Sequence, residues 1–269
     1  MAFPDPHPDA PTTLAQAPGA AVEALLTHLR PLLFLGLPFA FIVTTLTFFA
    51  DEFLQNPQLL FTAPSSPSSL LFIGLQLAIL ATYAFFWAAG LWTLHPSSPS
   101  DDAPSDPLEA AFDHFLPTFG LIVLVGLIAC SGVVLILLLR MLGLYSALSG
   151  VLALLLNAGA ATIAIASLVF LAPAIVPVAL GHTSIIDGLT LTATATVKCI
   201  HLTLGMLLFA ILPYIIFLAL SVIAFNAFDL SLLDDYQYLL SGFLAALLWP
   251  YLIVVFHTLY MAQLHHLPD

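Results

Sequence analysis

Six stretches of this chain run for about twenty residues or more without an Asp, Glu, Lys or Arg: 31–50, 70–94, 115–139, 148–171, 202–224 and 239–260. A hydrocarbon core of about 30 Å is crossed by roughly 20 helical residues at about 1.5 Å each, so every run is long enough to span a bilayer. The runs are continuously apolar and do not alternate. They therefore read as helices, which satisfy their own backbone groups in lipid, and not as barrel strands. The expected fold is all-α, a polytopic bundle of six transmembrane helices.

The rest of the chain agrees. Hydrophobic residues make up 61% and charged residues 7% of the sequence, where a soluble domain carries roughly a quarter charged residues. Three Lys or Arg stand against fifteen Asp or Glu. Arg30, Arg140 and Lys198 are scattered singly, which excludes nucleic acid as a partner and excludes a polybasic lipid anchor. The lipid bilayer is the partner implied. Cys130 and Cys199 show no metal-type spacing and no disulfide framework. Residues 1–19 read as a disordered tail rich in Pro and Ala, without the positive n-region of a secretory signal. The membrane domain is expected over 20–265, with hairpins at about 31–94, 115–171 and 202–260.

Prolines and polar loops punctuate the runs. Pro117 falls in a first turn, where a missing N–H costs little, whereas Pro213 and Pro250 fall in mid-span and should kink their helices. Pro173 and Pro177 should end the fourth helix.

An internal repeat organises the spans. His28, His114 and His201 each stand at the threshold of an odd-numbered span, 86 and 87 residues apart. The segment VEALLTHL at 22–29 matches LEAAFDHF at 108–115, and in both the apolar residues fall at i, i+3, i+4 and i+7. In the second, Asp106 is the expected N-cap, Pro107 the first helical residue and Glu109 the partner completing a capping box. The third copy, at 186–200, also alternates like a strand, and we read it as helix. The unit is thus a short interfacial amphipathic helix followed by a transmembrane hairpin. Three such units bring both termini to one side, with Arg30 and Lys198 there and Arg140 opposite. That places the termini in the cytoplasm of a multi-pass cell-membrane protein.

The hairpin repeat, the amphipathic segments and the stretch FLAPAIVPVALGHTSIIDGLTLTATATVKCIHLTLGMLL resemble the membrane domain found with glycerophosphoryl diester phosphodiesterases and its six-helix prokaryotic relatives. The resemblance covers about 20–265. It implies a fold and a membrane location. Phosphodiesterase chemistry in that family belongs to a separate soluble domain, so no functional residue carries over.

Several residues invite a chemical reading. On the expected topology His7, His28, His95, His114, His182, His201, His265 and His266 share one side and His257 lies within a span. A metal or pH-sensing belt is one reading; histidine's suitability for the membrane interface is the simpler one. Asp101, Asp102, Asp106, Glu109 and Asp113, and likewise Asp229, Asp234 and Asp235, read as solvated loop residues because their spacing matches no calcium loop. Gln76 and Asn157 are expected to bond between helices. Gly150, Ala153, Asn157 and Ala161 form a small-residue face on the fourth helix, read as a seam within the bundle or against a membrane-protein partner. No catalytic, cofactor or metal motif is found. The expected function is non-enzymatic: an accessory, scaffold or lipid-organising component. A facilitative transporter or lipid-translocating protein is the alternative.

Overall fold

The computed structural model describes residues 11, 13–54, 67–94, 106–145, 148, 150–228 and 237–264. Among these the regular secondary structure is all helix, with α1 (Ala17–Leu54), α2 (Pro67–Leu94), α3 (Pro107–Asp113), α4 (Phe115–Met141) and α5 (Gly150–Phe170). A 3-10 turn (Ala172–Ala174) leads to α6 (Ile175–Ala179), α7 (Ile185–Lys198), α8 (Ile200–Phe228) and α9 (Gln237–Leu264). Four helical stretches are long and apolar enough to cross a membrane, or five if α7 and the first part of α8, which meet at 103°, count as one. His7, His95, His265, His266, Asp101, Asp102, Asp229, Asp234, Asp235 and Asp269 lie outside the described residues.

Three expectations change. The tail was expected to run to residue 19, but Thr13 opens a turn by accepting the Gln16 and Ala17 N–H groups, and α1 starts at Ala17. Ala17 and Ala21 are buried, so packing orders this stretch. No separate interfacial helix precedes the first span, because 22–29 continues through Pro31 and Pro38 in one 38-residue helix. A proline removes one N–H from the ladder, and strong helix formers upstream carry the helix past it. The second and third interfacial segments are distinct helices, α3 and α7, set off from α4 and α8 by His114 and Cys199.

The small-residue face of the fourth span is not the one that meets α4. Gly150, Asn157 and Ala161 are exposed, while Ala160 and Ser167 are buried. A Cβ on Gly132 of α4 would lie 2.6 Å from the Ala160 Cα, so the two backbones meet there. The seam is rotated by one residue from the expected one, about 100° around the helix. Asn157 bonds within its own hairpin, donating to the Tyr145 hydroxyl at 2.8 Å and the Ala153 carbonyl at 2.8 Å. Gln76 is half-buried on α2.

α1 packs on α2 and α9, α4 packs on α5, and α2 links the two groups. Phe39 is the hub of the first group, with ring centroids 5.0 Å from Tyr83, 5.5 Å from Phe86 and 5.2 Å from Trp249. α5 ends before Pro173 as expected, but the chain does not then leave the bundle. Residues 173–180 are buried throughout. Two prolines lighten the cost of burying this irregular backbone, since they bring no N–H that must find a partner.

Candidate functional site

The segment that follows α6 organises one end of the molecule. Gly181 has φ of 70°, a left-handed conformation that glycine adopts without a Cβ penalty. Its N–H donates to the Val178 carbonyl at 3.0 Å and the His182 N–H donates to the Pro177 carbonyl at 2.9 Å. This is the six-to-one and five-to-two pairing that closes helix C-termini. The missing side chain also makes room, because a Cβ on Gly181 would overlap the His114 ring. His114 in turn stacks on Trp92 at 5.7 Å and 9°. The Trp92 indole N–H donates to the Ala179 carbonyl at 3.0 Å. His182 Nδ1 lies 3.1 Å from the Tyr260 hydroxyl.

These contacts gather the end of α2, the start of α4, the end of α6 and the last turns of α9. They border an open cleft of about 830 Å³ whose lining includes His114, Pro117, Gly181, His182, Thr183 and Ser184. Burial holds the His114 pKa below its ordinary value, against the opposing pull of the Asp113 carboxylate. The imidazole is therefore neutral near pH 7, and the cleft wall offers uncharged hydrogen-bonding groups between apolar ones. Ser184 is engaged locally: its hydroxyl donates to Asp187 Oδ2 at 2.8 Å and accepts the Asp187 N–H at 3.2 Å, capping α7.

α7 carries the second half of the site. Gly188, Thr192, Ala195 and Thr196 face inward and are buried. Gln263 on α9 donates to the Thr203 hydroxyl at 3.0 Å and the Thr196 hydroxyl at 3.3 Å. Its Oε1 is buried with no partner among the described residues. On the other side of the same helix Ile186 and Val197 are 75% and 67% exposed. Leu14 lies against Gly205 on α8, which brings the start of α1 to this end as well.

The histidines for which a belt was one of two readings are divided. His114 and His182 line one cleft, whereas His28 is half-buried on α1 and His201 is exposed in the first turn of α8. Among the described residues no three His, Cys, Asp or Glu are grouped so as to hold a metal ion. Of the acidic loop residues, Asp106 accepts the Leu108 N–H at 2.9 Å as the expected cap, and Glu109 stands in the first turn of α3.

Sequence reasoning passed over Gln263 and the Ser184 cap. The last had a signal in Ser184 and Asp187 at capping-box spacing; an amide near the end of an apolar helix has none. Compared with known proteins, the chain matches no family model, no curated protein and no solved structure.

Proposed function

We propose that the chain is a multi-pass integral membrane protein of six transmembrane helices in three hairpins, acting without enzymatic chemistry as a lipid-organising or scaffold component. α8 and α9 supply the fifth and sixth spans. Both termini lie on the cytoplasmic side, where Arg30 and Lys198 outnumber Arg140. The gathering of the starts of α1 and α4 with the ends of α2 and α9 supports that one-sidedness.

One observation carries the reading. α7 turns two of its four threonines, Thr192 and Thr196, inward, while the aliphatics Ile186 and Val197 stand outward with the exposed Thr190 and Thr194. In water this arrangement would sacrifice apolar burial, whereas against lipid it loses none and gives the hydroxyls partners inside the bundle. The polar groups at that end hold helix to helix, as His182 does with Tyr260 and Gln263 with Thr203. The test is purification in mild detergent and reconstitution in bilayers. Retained lipid, an enriched membrane-protein partner, or a change in acyl-chain order around the protein is expected. A bare monomer with neither lipid nor partner, and no effect on bilayer order, would remove the reading.

The alternative, facilitative transport of a lipid or small solute, draws on the 103° break between α7 and α8. Discontinuous helices frame the substrate sites of many transporters. Flux into liposomes above the protein-free background would favour it.

A further inference from the structure

We propose that the groove between α1 and α3 seats one zwitterionic phospholipid, with its phosphate on Arg30, its ammonium on Asp106 and an acyl chain along Leu33, Phe34 and Leu37. The inference rests on the membrane reading above and names the ligand that such a component would hold. Arg30, Phe34, Leu37, Thr93, Asp106 and Leu108 border a groove of about 620 Å³, within the roughly 300–1,000 Å³ typical of small-molecule sites.

Helical geometry sets the ligand's shape. Arg30, Leu33, Phe34 and Leu37 recur at steps of three and four, so they share one side of α1. From Arg30 to Leu37 the helix rises about 10 Å, enough to lie along the upper part of an acyl chain. Phe34 is 78% exposed and Leu37 is 63% exposed, so the groove opens sideways where lipid would stand. Arg30 immediately precedes the first apolar run, at the depth of a headgroup.

Charge selects the headgroup. Arg30 makes no ion pair among the described residues, although Asp106 borders the same groove. The planar guanidinium offers a fork of donors that matches two phosphate oxygens. Asp106 uses Oδ1 on the Leu108 N–H, which leaves its other oxygen for a cation. A headgroup with phosphate and ammonium answers both lips of the groove. An anionic headgroup would answer Arg30 and set unbalanced negative charge beside Asp106.

The experiment uses the full chain exchanged into bilayer discs holding equal parts phosphatidylethanolamine and phosphatidylglycerol with identical acyl chains, with the retained lipids counted by native mass spectrometry. The wild-type protein should retain phosphatidylethanolamine over phosphatidylglycerol by about fivefold, the factor one interfacial charge supplies. Asp106→Asn keeps an N-capping side chain and loses the charge, so the ratio should fall toward one with total lipid little changed. Arg30→Gln should lower retention of both lipids, and Leu37→Trp should do so by filling the groove, while Arg140→Gln at the opposite end should leave counts and ratio as in wild type. A wild-type ratio of one, a ratio unmoved by Asp106→Asn, or a wild-type protein retaining no lipid would overturn the proposal. Lipid retained without preference overturns the groove and leaves the lipid-organising reading standing; retention of neither lipid nor any partner overturns both.

Discussion

The α1, α2 and α9 group and the α4 and α5 pair are both built from long apolar helices and use them in opposite ways. In the first, whole turns are inside: Phe39, Leu91, Trp249, Ile253 and Leu259 are all buried, and three aromatic rings meet around Phe39. In the second, α4 buries only Thr118, Leu121, Val125, Gly132 and Ile136, and α5 only Ala160 and Ser167. What the pair buries is a narrow line of small or polar residues and a few aliphatics, while leucines such as Leu127, Leu154 and Leu155 face out. Between lipid and leucine there is no hydrophobic preference to exploit, so α4 and α5 associate through close backbone approach, and the first group through aromatic bulk. Apolar side chains in a membrane protein are held inside by shape.

That contrast is most directly broken at two phenylalanines on one helix. Phe39 is 1% exposed and Phe34 is 78% exposed. Phe39→Ala should cost about 3–5 kcal/mol, the range for emptying a packed aromatic site. Phe34→Ala, facing outward, should leave unfolding nearly unchanged. Reversible unfolding in mixed micelles measures both, and equal losses would mean that α1 is turned the other way.

The second comparison concerns glycines on α4. A Cβ on Gly132 would meet the Ala160 backbone at 2.6 Å, and one on Gly126 would meet nothing within 4 Å. Gly132→Val should therefore force the helices apart and cost about 1–3 kcal/mol, as overpacking does. Gly126→Val should be tolerated. If the two variants unfold alike, the seam does not run through Ala160.

Much of this was legible in the sequence and some of it could not have been. Five of the apolar runs fall on α2, α4, α5, α8 and α9, and the run 31–50 lies inside the longer α1, with four or five stretches long and apolar enough to cross a membrane, because length and unbroken hydrophobicity are local properties. Asp106 and Pro107 announced α3 by cap chemistry. What hydropathy cannot report is which side of an apolar helix faces protein, since lipid and core are alike to it. Hence the small-residue face of Gly150, Ala153, Asn157 and Ala161 could be assigned to the bundle or to a partner alike, while the contact with α4 lies at Ala160. The burial of 173–180 was equally hidden, because prolines punctuate a loop and a buried turn in the same way. The pairing of Gln263 with Thr196 and Thr203 spans 67 and 60 residues and follows only from the assembled bundle.

A pH titration sharpens the comparison at the cleft. Burial lowers the folded-state pKa of His114 beneath the unfolded value, so the unfolded chain binds the proton more readily. The stability contributed by neutral His114 is fully present above the unfolded pKa of about 6.5 and is lost as pH falls through the folded value. Wild type should therefore lose stability between neutral and acid pH by more than His114→Phe does, with Trp92 fluorescence following the change. Parallel pH profiles for the two proteins would show that the ring is not buried against Trp92 and Gly181.

The smallest expected effect lies at the far end, in the turn between α4 and α5. Asn157 donates to the Tyr145 hydroxyl at 2.8 Å, and the Arg140 guanidinium stands over the Tyr145 ring at 4.8 Å. Together they hold the phenol pKa below its ordinary value, the Asn157 hydrogen bond contributing most and Arg140 the rest. Both groups favour the phenolate, one by donating to it and the other by its positive charge. Asn157→Leu removes the donor from an exposed position and leaves the close contact of Gly132 with Ala160 intact. The hairpin should stay folded while the alkaline absorbance transition of Tyr145 moves to higher pH. Arg140→Gln should move it in the same direction by less. If Asn157→Leu instead loosens α5 from α4 with no movement of the tyrosine transition, Asn157 faces the helix interface, and the division between a closed end held by side-chain bonds and a distal pair held by backbone approach would have to be redrawn.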